Sequence, residues 1–539
     1  MTPEAHPVPH AALGASRLFQ GVLSRDPAAL AFYAHDWQEG LAEAAHLAAE
    51  HPRDRAALAD ALEYQNRRWG ADAAAMANVE ALRQPEAVAV LTGQQLGLFG
   101  GPLYTVWKAL GAVLTARRVA RETGRPAVPV FWLAGEDHDL DEVRSTVIPN
   151  GEDALRVLYG TPDAGHRQPV GRIALDADQL AAALDAMEDA LPAGPHREDV
   201  VALLRRAWAP GRPWRDAFAE TILALTRGTG LVLVSPDDPA IKILVRDLFE
   251  QEATGWRETF EALSFSSRAL TEAGYHTQIE PSPLNLFWLH DGDRLALDPT
   301  DAGAIARQTG QRVNLAEIAR ERPKALSPNV VLRPVMQDVL FPTVAYVAGP
   351  GETAYFAQLK GVYSRFGVPM PAIVPRLSVS LVPVSVRKVL DRYGLGVPDF
   401  REGIEGHWKR LAMEASETDF EAAFAAARQS ADADLDRLAA LAAEIDTSLD
   451  AAAEAARARV HKALARLETK TVRVQKRRHD DVRARLARAH ATLWPGGTLQ
   501  ERAANPLAFA THLGLDGFAR LADALGHDID TSQHWVLEM

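Results

Sequence analysis

Between Gly406 and Pro495 the sequence contains neither glycine nor proline. A run of that length without a breaker predicts long helices rather than strands and turns. Leu435, Leu438, Leu441, Ile445 and Leu449 recur at threes and fours, and so do Val460, Leu464, Leu467, Thr471 and Val474. Sustained 3–4 spacing with charge at the other positions is the pattern of a coiled coil. The segment "EIDTSLD" supplies the turn, because Asp, Thr and Ser favour helix starts. The second arm, about 42 residues, then reaches roughly 60 Å at 1.5 Å per residue. It is basic ("KTVRVQKRRHDDVRARLAR") and the first arm is acidic, so the arms are expected to pair with each other or with a second subunit. The basic arm reads as a solvated coiled-coil face rather than a nucleic-acid surface, since few aromatics are interleaved with it.

Upstream the texture differs. "AVAVLTG" is a buried-strand pattern, and "PLYTVWKALGAVLTARRVARETG" is a helix with Pro102 at its start and Gly124 just past its end. "AVPVFWLAGEDHD" is a second buried strand that ends in charge. Strand, glycine loop, helix, strand is a βαβ unit, which builds parallel sheets. "GLVLVSPDDP", "RLALD" and "PAIVPRLS" repeat the theme of an apolar strand with polar residues at its carboxyl end. The expected fold is therefore α/β, a doubly wound parallel sheet with insertions, plus an antiparallel coiled coil. Residues 1–85 read as a helical lead-in with an apolar stripe at Ala57, Leu58, Ala61 and Leu62. Residues 86–410 read as the core, with insertions at about 140–230 and 240–340. Residues 411–492 read as the coiled coil, and 493–539 as a segment returning to the core.

A chain of 539 residues exceeds what one hydrophobic core usually holds. Its net charge of −13 argues against non-specific nucleic-acid binding. With no cysteine there is no disulfide framework and no Cys-based metal site, which fits a reducing cytoplasm. The first residues lack a basic stretch followed by an apolar run, so no signal peptide is expected. No apolar run approaches the roughly 20 residues of a membrane span.

Three motifs carry candidate chemistry. "VLTGQQLGLFGGPLYTVWK" places Thr92, Gly93, Gln94, Gln95, Gly100 and Gly101 between a strand and a helix, with Tyr104 and Lys108 in that helix. Glycines let backbone amides approach an anion, so the loop is expected to cradle a phosphate or carboxylate. It matches neither G-x-G-x-x-G nor the P-loop pattern. "AGEDHDLDE" clusters Glu136, Asp137, His138 and Asp139 at a strand end. Two active readings compete with a solvated acidic turn: metal ligation, or His138 as a base or substrate contact tuned by flanking carboxylates. Adjacent residues of an extended chain point in alternate directions, so all four cannot meet one ion, and no metal site is assigned. "SPNVVLRPVMQDVLFPTVAYVAGPGETAYFAQL" sets Arg333, Gln337, Asp338, Tyr346 and Glu352 among prolines at 328, 334, 342 and 350 that disfavour a regular helix. Arg333 is a candidate carboxylate or phosphate clamp, or an ion-pair partner of Asp338. Glu352 is a candidate amine contact. "VPRLSVSL" adds Arg376 as a second anion contact, with Ser378 beside it.

"TGQQLGLFGGPLYTVWK", "PVFWLAGEDHDLDE", the Pro-rich motif, "PRLS" and "QERAANPLAF" together resemble the bacillithiol biosynthesis cysteine-adding enzyme (BshC) family, in this order and over nearly the whole chain. The resemblance implies a Rossmann-like core, a coiled coil that forms a homodimer, and the last step of bacillithiol synthesis, in which cysteine is joined to glucosaminyl malate by an amide. Amide condensation in water is uphill, so a carboxyl group must be activated, most simply with ATP or another nucleotide. On this reading Asp137, His138 and Asp139 are the catalytic candidates, deprotonating the attacking amine or holding the ammonium of cysteine. Alternatives are another nucleotide-dependent adenylating or transferase enzyme, or a non-catalytic nucleotide-binding scaffold. Neither nucleic acid nor membrane is an expected partner.

Overall fold

The computed structural model describes residues 5–162, 166–301, 303–414 and 420–539. At its centre are five parallel strands: β1 (Val88–Gln94), β2 (Ala127–Leu133), β3 (Val232–Val234), β4 (Thr343–Ala348) and β5 (Ala372–Pro375). Their spatial order is β5-β4-β1-β2-β3. Such strands are covered on both faces and so read as continuous apolar runs. Val130 and Trp132 join one core cluster, and Phe131 and Leu133 the cluster across the sheet. The N-terminal helices contribute Leu41, Leu58 and Leu62 to the first of these.

Helix α1 (Tyr104–Thr123) crosses from β1 to β2 and ends at Gly124, whose φ of 68° suits the left-handed cap. The chain then moves outward through β2 and β3 and returns to the other side of β1 for β4 and β5. The order therefore reverses between β1 and β4, and ligands bind in the crevice beyond the carboxyl ends at such a switch point.

The insertions build their own structure. "RLALD" is not a core strand: it lies in Asp293–Thr300 of a separate, antiparallel five-stranded sheet. Helices α2 (Pro239–Leu244), α3 (Leu332–Leu340) and α4 (Pro350–Phe356) follow or precede strand ends of the central sheet. The prolines do not exclude helix here. Pro334 and Pro350 sit in the first turns of α3 and α4, where no intrahelical N–H bond is needed. Beyond β5 the chain enters Ser378–Val382, which pairs in parallel with the C-terminal strand Gln533–Glu538.

The glycine-free run forms two long helices, α5 (Phe420–Ile445) and α6 (Asp450–Leu493), joined by a turn at Thr447–Leu449 inside "EIDTSLD". The start of the first arm, at 411–415, meets residues 415–419, which lie outside the described residues. The arms pair with each other: His461 meets Asp432 at 2.7 Å, Arg457 meets Asp432 at 3.4 Å, and Arg428 meets Glu468. Leu435, Val460, Leu464 and Thr471 are half-buried along this seam. Leu438, Leu441, Ile445, Leu467 and Val474, expected on the same seam, are exposed instead. No helix among the described residues is long and apolar enough to cross a membrane.

Candidate active site

Beyond the carboxyl ends of β1 and β4 lies a cavity of about 360 Å³, within the range of small-molecule sites. Trp132 contributes to its wall from β2, and Gly93 from β1. A Cβ on Gly93 would come within 2.9 Å of the Trp132 Cβ, so the close strand contact requires glycine there.

Lys108 does not reach solvent. One and a half turns into α1 it points back over β1, donating to the Gly93 carbonyl and to Gln94 Oε1 at 3.2 Å, and pairing with Glu352 at 2.7 Å. Glu352 also accepts from the Tyr346 hydroxyl at 2.7 Å and the Gly349 amide at 2.8 Å. Burial pushes the Glu352 carboxyl up, but the Lys108 ammonium and these donors outweigh it and hold the carboxyl below its usual range. Burial pulls the Lys108 ammonium down, against the pull of Glu352.

Arg333 is half-buried in the cavity wall. Its guanidinium donates to the Tyr355 hydroxyl at 2.5 Å and lies 5.9 Å from the Tyr346 ring centre. Burial opposes its charge, yet Tyr355, Tyr346 and Glu352 raise its pKa. It makes no ion pair with Asp338, which is buried elsewhere and accepts from Tyr363 at 2.5 Å and Gln337 at 3.0 Å. Burial lifts the Asp338 carboxyl to about 6. Arg333 is thus a cation with a phenol for a partner and no carboxylate in ion-pair range among the described residues.

An acidic pole faces it from the end of β2. Glu136, 6% exposed, is bound by the buried Lys242 of α2, which also donates to the Leu326 carbonyl at 2.8 Å. Asp137 accepts from Gln95 at 2.9 Å and from the His138 amide at 2.8 Å, with Arg294 at 3.7 Å. Burial would raise the Asp137 carboxyl, but Arg294 and these donors lower it. His138 stands just outside the cavity lining. Its Nδ1 is 3.4 Å from Arg294, and because a guanidinium can only donate, Nδ1 accepts and the proton of the neutral ring sits on Nε2. Burial and then Arg294 hold the His138 pKa below its usual value.

Several expectations are corrected by this geometry. Gly100 and Gly101 do have left-handed angles, φ 94° and 73°, but do not line the cavity. The C-terminal segment closes their loop: Asn505 donates to the Phe99 carbonyl at 3.1 Å and the Gly101 carbonyl at 3.2 Å, and the Leu103 amide donates to Ala504 at 2.7 Å. The Asn505 side chain and the Ala504 carbonyl fill this cradle. Arg376 lines the cavity, yet it is bound by Glu501, with Nη1 at 2.8 Å and Nη2 also engaged. Ser378 donates to Glu501 at 2.9 Å and faces away from the cavity. Thr92 ties β1 to the Val347 carbonyl at 2.9 Å. Gln337, like Asp338, lies behind the wall, and Asp139 caps the short helix after it by accepting from Glu142 at 3.1 Å. Gly93, Gln94, Gln95, Tyr104, Lys108, Asp137, Arg333, Tyr346, Glu352 and Arg376 do meet at the cavity.

Sequence reasoning missed Arg294, Lys242, Tyr355, Asn329 and Arg502. Tyr355 lay within a quoted motif, two residues beyond Thr353. Arg294 opens "RLALD", where the core-strand reading gives it no role, and Lys242 follows "GLVLVSPDDP" on an element with no motif of its own.

The N-terminal Rossmann-like domain of bacillithiol biosynthesis BshC matches residues 4–377, and the BshC C-terminal coiled-coil domain matches residues 379–539. Proteins bearing the provisional name cysteine ligase BshC align along the chain. That of Salinibacter ruber is 42% identical over 99% of this chain and 98% of its own. Those of Symbiobacterium thermophilum and Chlorobaculum tepidum are 34% and 33% identical, over 91% and 90% of this chain and 92% and 89% of theirs.

Proposed function

Because the chain belongs to the bacillithiol biosynthesis BshC family, we propose that it is a cysteine ligase that joins cysteine to glucosaminyl malate through an amide bond. The observation that carries this reading is the polarity of the switch-point cavity. Arg333, with no carboxylate partner among the described residues, offers a bidentate contact to a substrate carboxylate. Asp137, with Arg294 no nearer than 3.7 Å, is the acidic group offered to an ammonium, while Glu136 beside it is already paired with Lys242. Cysteine and glucosaminyl malate both carry a carboxylate and an amine, and the cavity answers both charges.

Condensation releases water, so the cysteine carboxyl must first be activated. ATP or another nucleotide would supply that, through an acyl phosphate or acyl adenylate with loss of ADP or pyrophosphate. Arg502, at the cavity and with no ion pair to a carboxylate among the described residues, suits its phosphates. His138 stands beside Asp137, and its one basic nitrogen is Nδ1, so to take a proton from the attacking amine the ring turns Nδ1 away from Arg294. Leu438, Leu441, Ile445, Leu467 and Val474, exposed along the hairpin, favour a homodimer that covers them. We place the reaction in the cytoplasm, where free cysteine stays reduced.

The test is direct: purified protein, cysteine and glucosaminyl malate, with and without each nucleotide, read by mass spectrometry. Amide formation coupled to nucleotide consumption is expected. No amide with any nucleotide overturns the ligase reading, and amide without one overturns the activation step.

A further inference from the structure

Glu252 is fully buried on the helix Arg246–Glu272, and no cation lies within ion-pair range among the described residues. A buried carboxylate in that position is costly unless its oxygens are fully used. They are: Oε1 accepts from the Asn285 amide at 3.0 Å and its side chain at 2.8 Å, and Oε2 accepts from Thr259 at 2.7 Å. Asn285, itself fully buried, passes the constraint on. Its main-chain carbonyl accepts from the Asn329 amide at 3.0 Å, and its Oδ1 from the Asn329 side chain at 2.9 Å. Asn329 lines the cavity and sets the start of α3. Its Oδ1 accepts from the Val331 and Leu332 amides at 2.9 and 3.2 Å, and its carbonyl from the Arg333 amide at 2.9 Å.

We propose that Glu252 is a positioning residue for the cavity: through Asn285 and Asn329 it fixes the first turn of α3 and so the place where Arg333 meets a substrate carboxylate. The inference rests on the reading of Arg333 as that carboxylate contact. Each link is a hydrogen bond between buried or half-buried groups, and two of the three joints are two-point contacts, which restrain rotation as well as distance. The anchor lies on Arg246–Glu272 and the guanidinium on α3, which leads into β4, so the chain ties that long helix to the switch point.

The probe is L-malate, titrated calorimetrically into the full-length protein, with circular dichroism and thermal melting as folding controls. Glu252→Ala should weaken malate binding about tenfold, as loss of a charged hydrogen-bond anchor implies, and Glu252→Gln, which keeps the acceptor toward Asn285, should recover most of it. Asn285→Ser removes the side-chain half of both joints and leaves their main-chain halves, so it should weaken malate binding by about threefold, and a Glu252→Ala protein that does not fold leaves this test in place; unchanged affinity in Asn285→Ser then overturns the positioning role. In an Arg333→Lys background the loss from Glu252→Ala should shrink below about twofold, because the positioned group is gone. Unchanged affinity in Glu252→Ala, or an undiminished loss in the Arg333→Lys background, overturns the positioning role while the carboxylate reading stands. A wild-type protein that takes up no malate overturns both.

Discussion

Two charge clusters, each built around one arginine and one glutamate, sit near the carboxyl edge of the sheet, and they behave differently. One joins Lys108, Glu352, Tyr346 and Arg333; the other joins Arg376, Glu501, Ser378 and His534. In the second, every strong group is matched. Glu501 accepts from Arg376 twice, from Ser378 and from the Val379 amide at 3.0 Å, while His534 bridges Ser378 at 2.8 Å and Ser380 at 2.9 Å. In the first, Glu352 is spent on Lys108, and Arg333 is left with a phenol. Arginine beside a cavity is not in itself an anion site; the deciding quantity is whether its charge is already balanced. By that measure Arg376 holds the C-terminal segment in place, and Arg333 is the cavity cation left for the proposed substrate carboxylate.

The sharpest way to break this contrast is Glu501→Ala. Removing one partner of a buried pair strands the other, at a cost of about 3–5 kcal/mol. Urea unfolding should show a loss of that size, with the glycine loop loosened as well, since Asn505 follows Glu501 by one turn of chain. A loss below about 1 kcal/mol would mean that water reaches Arg376 and that the cluster is not sealed.

The sealed cluster also has a pH signature. Burial holds the His534 imidazole down to about 4, against an ordinary value of 6.5. Between those values the unfolded chain binds a proton that the folded chain refuses, so stability is full above pH 6.5 and falls as pH drops toward 4. The slope per histidine is about 1.4 kcal/mol per pH unit. Asp338, lifted to about 6 by burial, works in the opposite sense over part of this range. The difference between wild type and His534→Gln cancels that term. The variant should show the flatter profile by about one histidine's slope; parallel profiles would place His534 in contact with solvent.

How much of this was readable beforehand follows from sequence distance. The βαβ unit, the crossover helix, the hairpin turn at Thr447–Leu449 and the inward run of β1 and β2 are local patterns of spacing and capping, and they appear as written. Lys108 and Gly93 share one motif, and their meeting was within reach of a helix's geometry. The closure of the glycine loop was not, because Asn505 lies 404 residues from Gly101. Nor was the capture of Arg376 by Glu501, 125 residues away, although "QERAANPLAF" was plainly a motif. Left-handed glycines announce unusual backbone; they do not say whether a ligand or the chain itself fills the space beside them. The hairpin illustrates the same limit, since 3–4 spacing located the helices but did not say which of its residues enter the seam between the arms and which, as Leu438, Leu441 and Ile445 do, stay exposed in the single chain.

The open cluster admits a finer cut. Tyr355 donates nothing to Arg333; its hydroxyl accepts, at 2.5 Å, and so orients the guanidinium without neutralising it. Tyr355→Phe should therefore lower malate affinity by only about three- to fivefold, the worth of one orienting hydrogen bond, and leave the melting temperature nearly unchanged. The loss should be smaller than that of Arg333→Lys, measured in the same titration. A Tyr355→Phe loss equal to or larger than it would make the phenol itself a substrate contact. The imbalance of charge would then belong to a tyrosine–arginine pair acting together, and the contrast with Arg376 would rest on hydrogen-bond donors rather than on net charge.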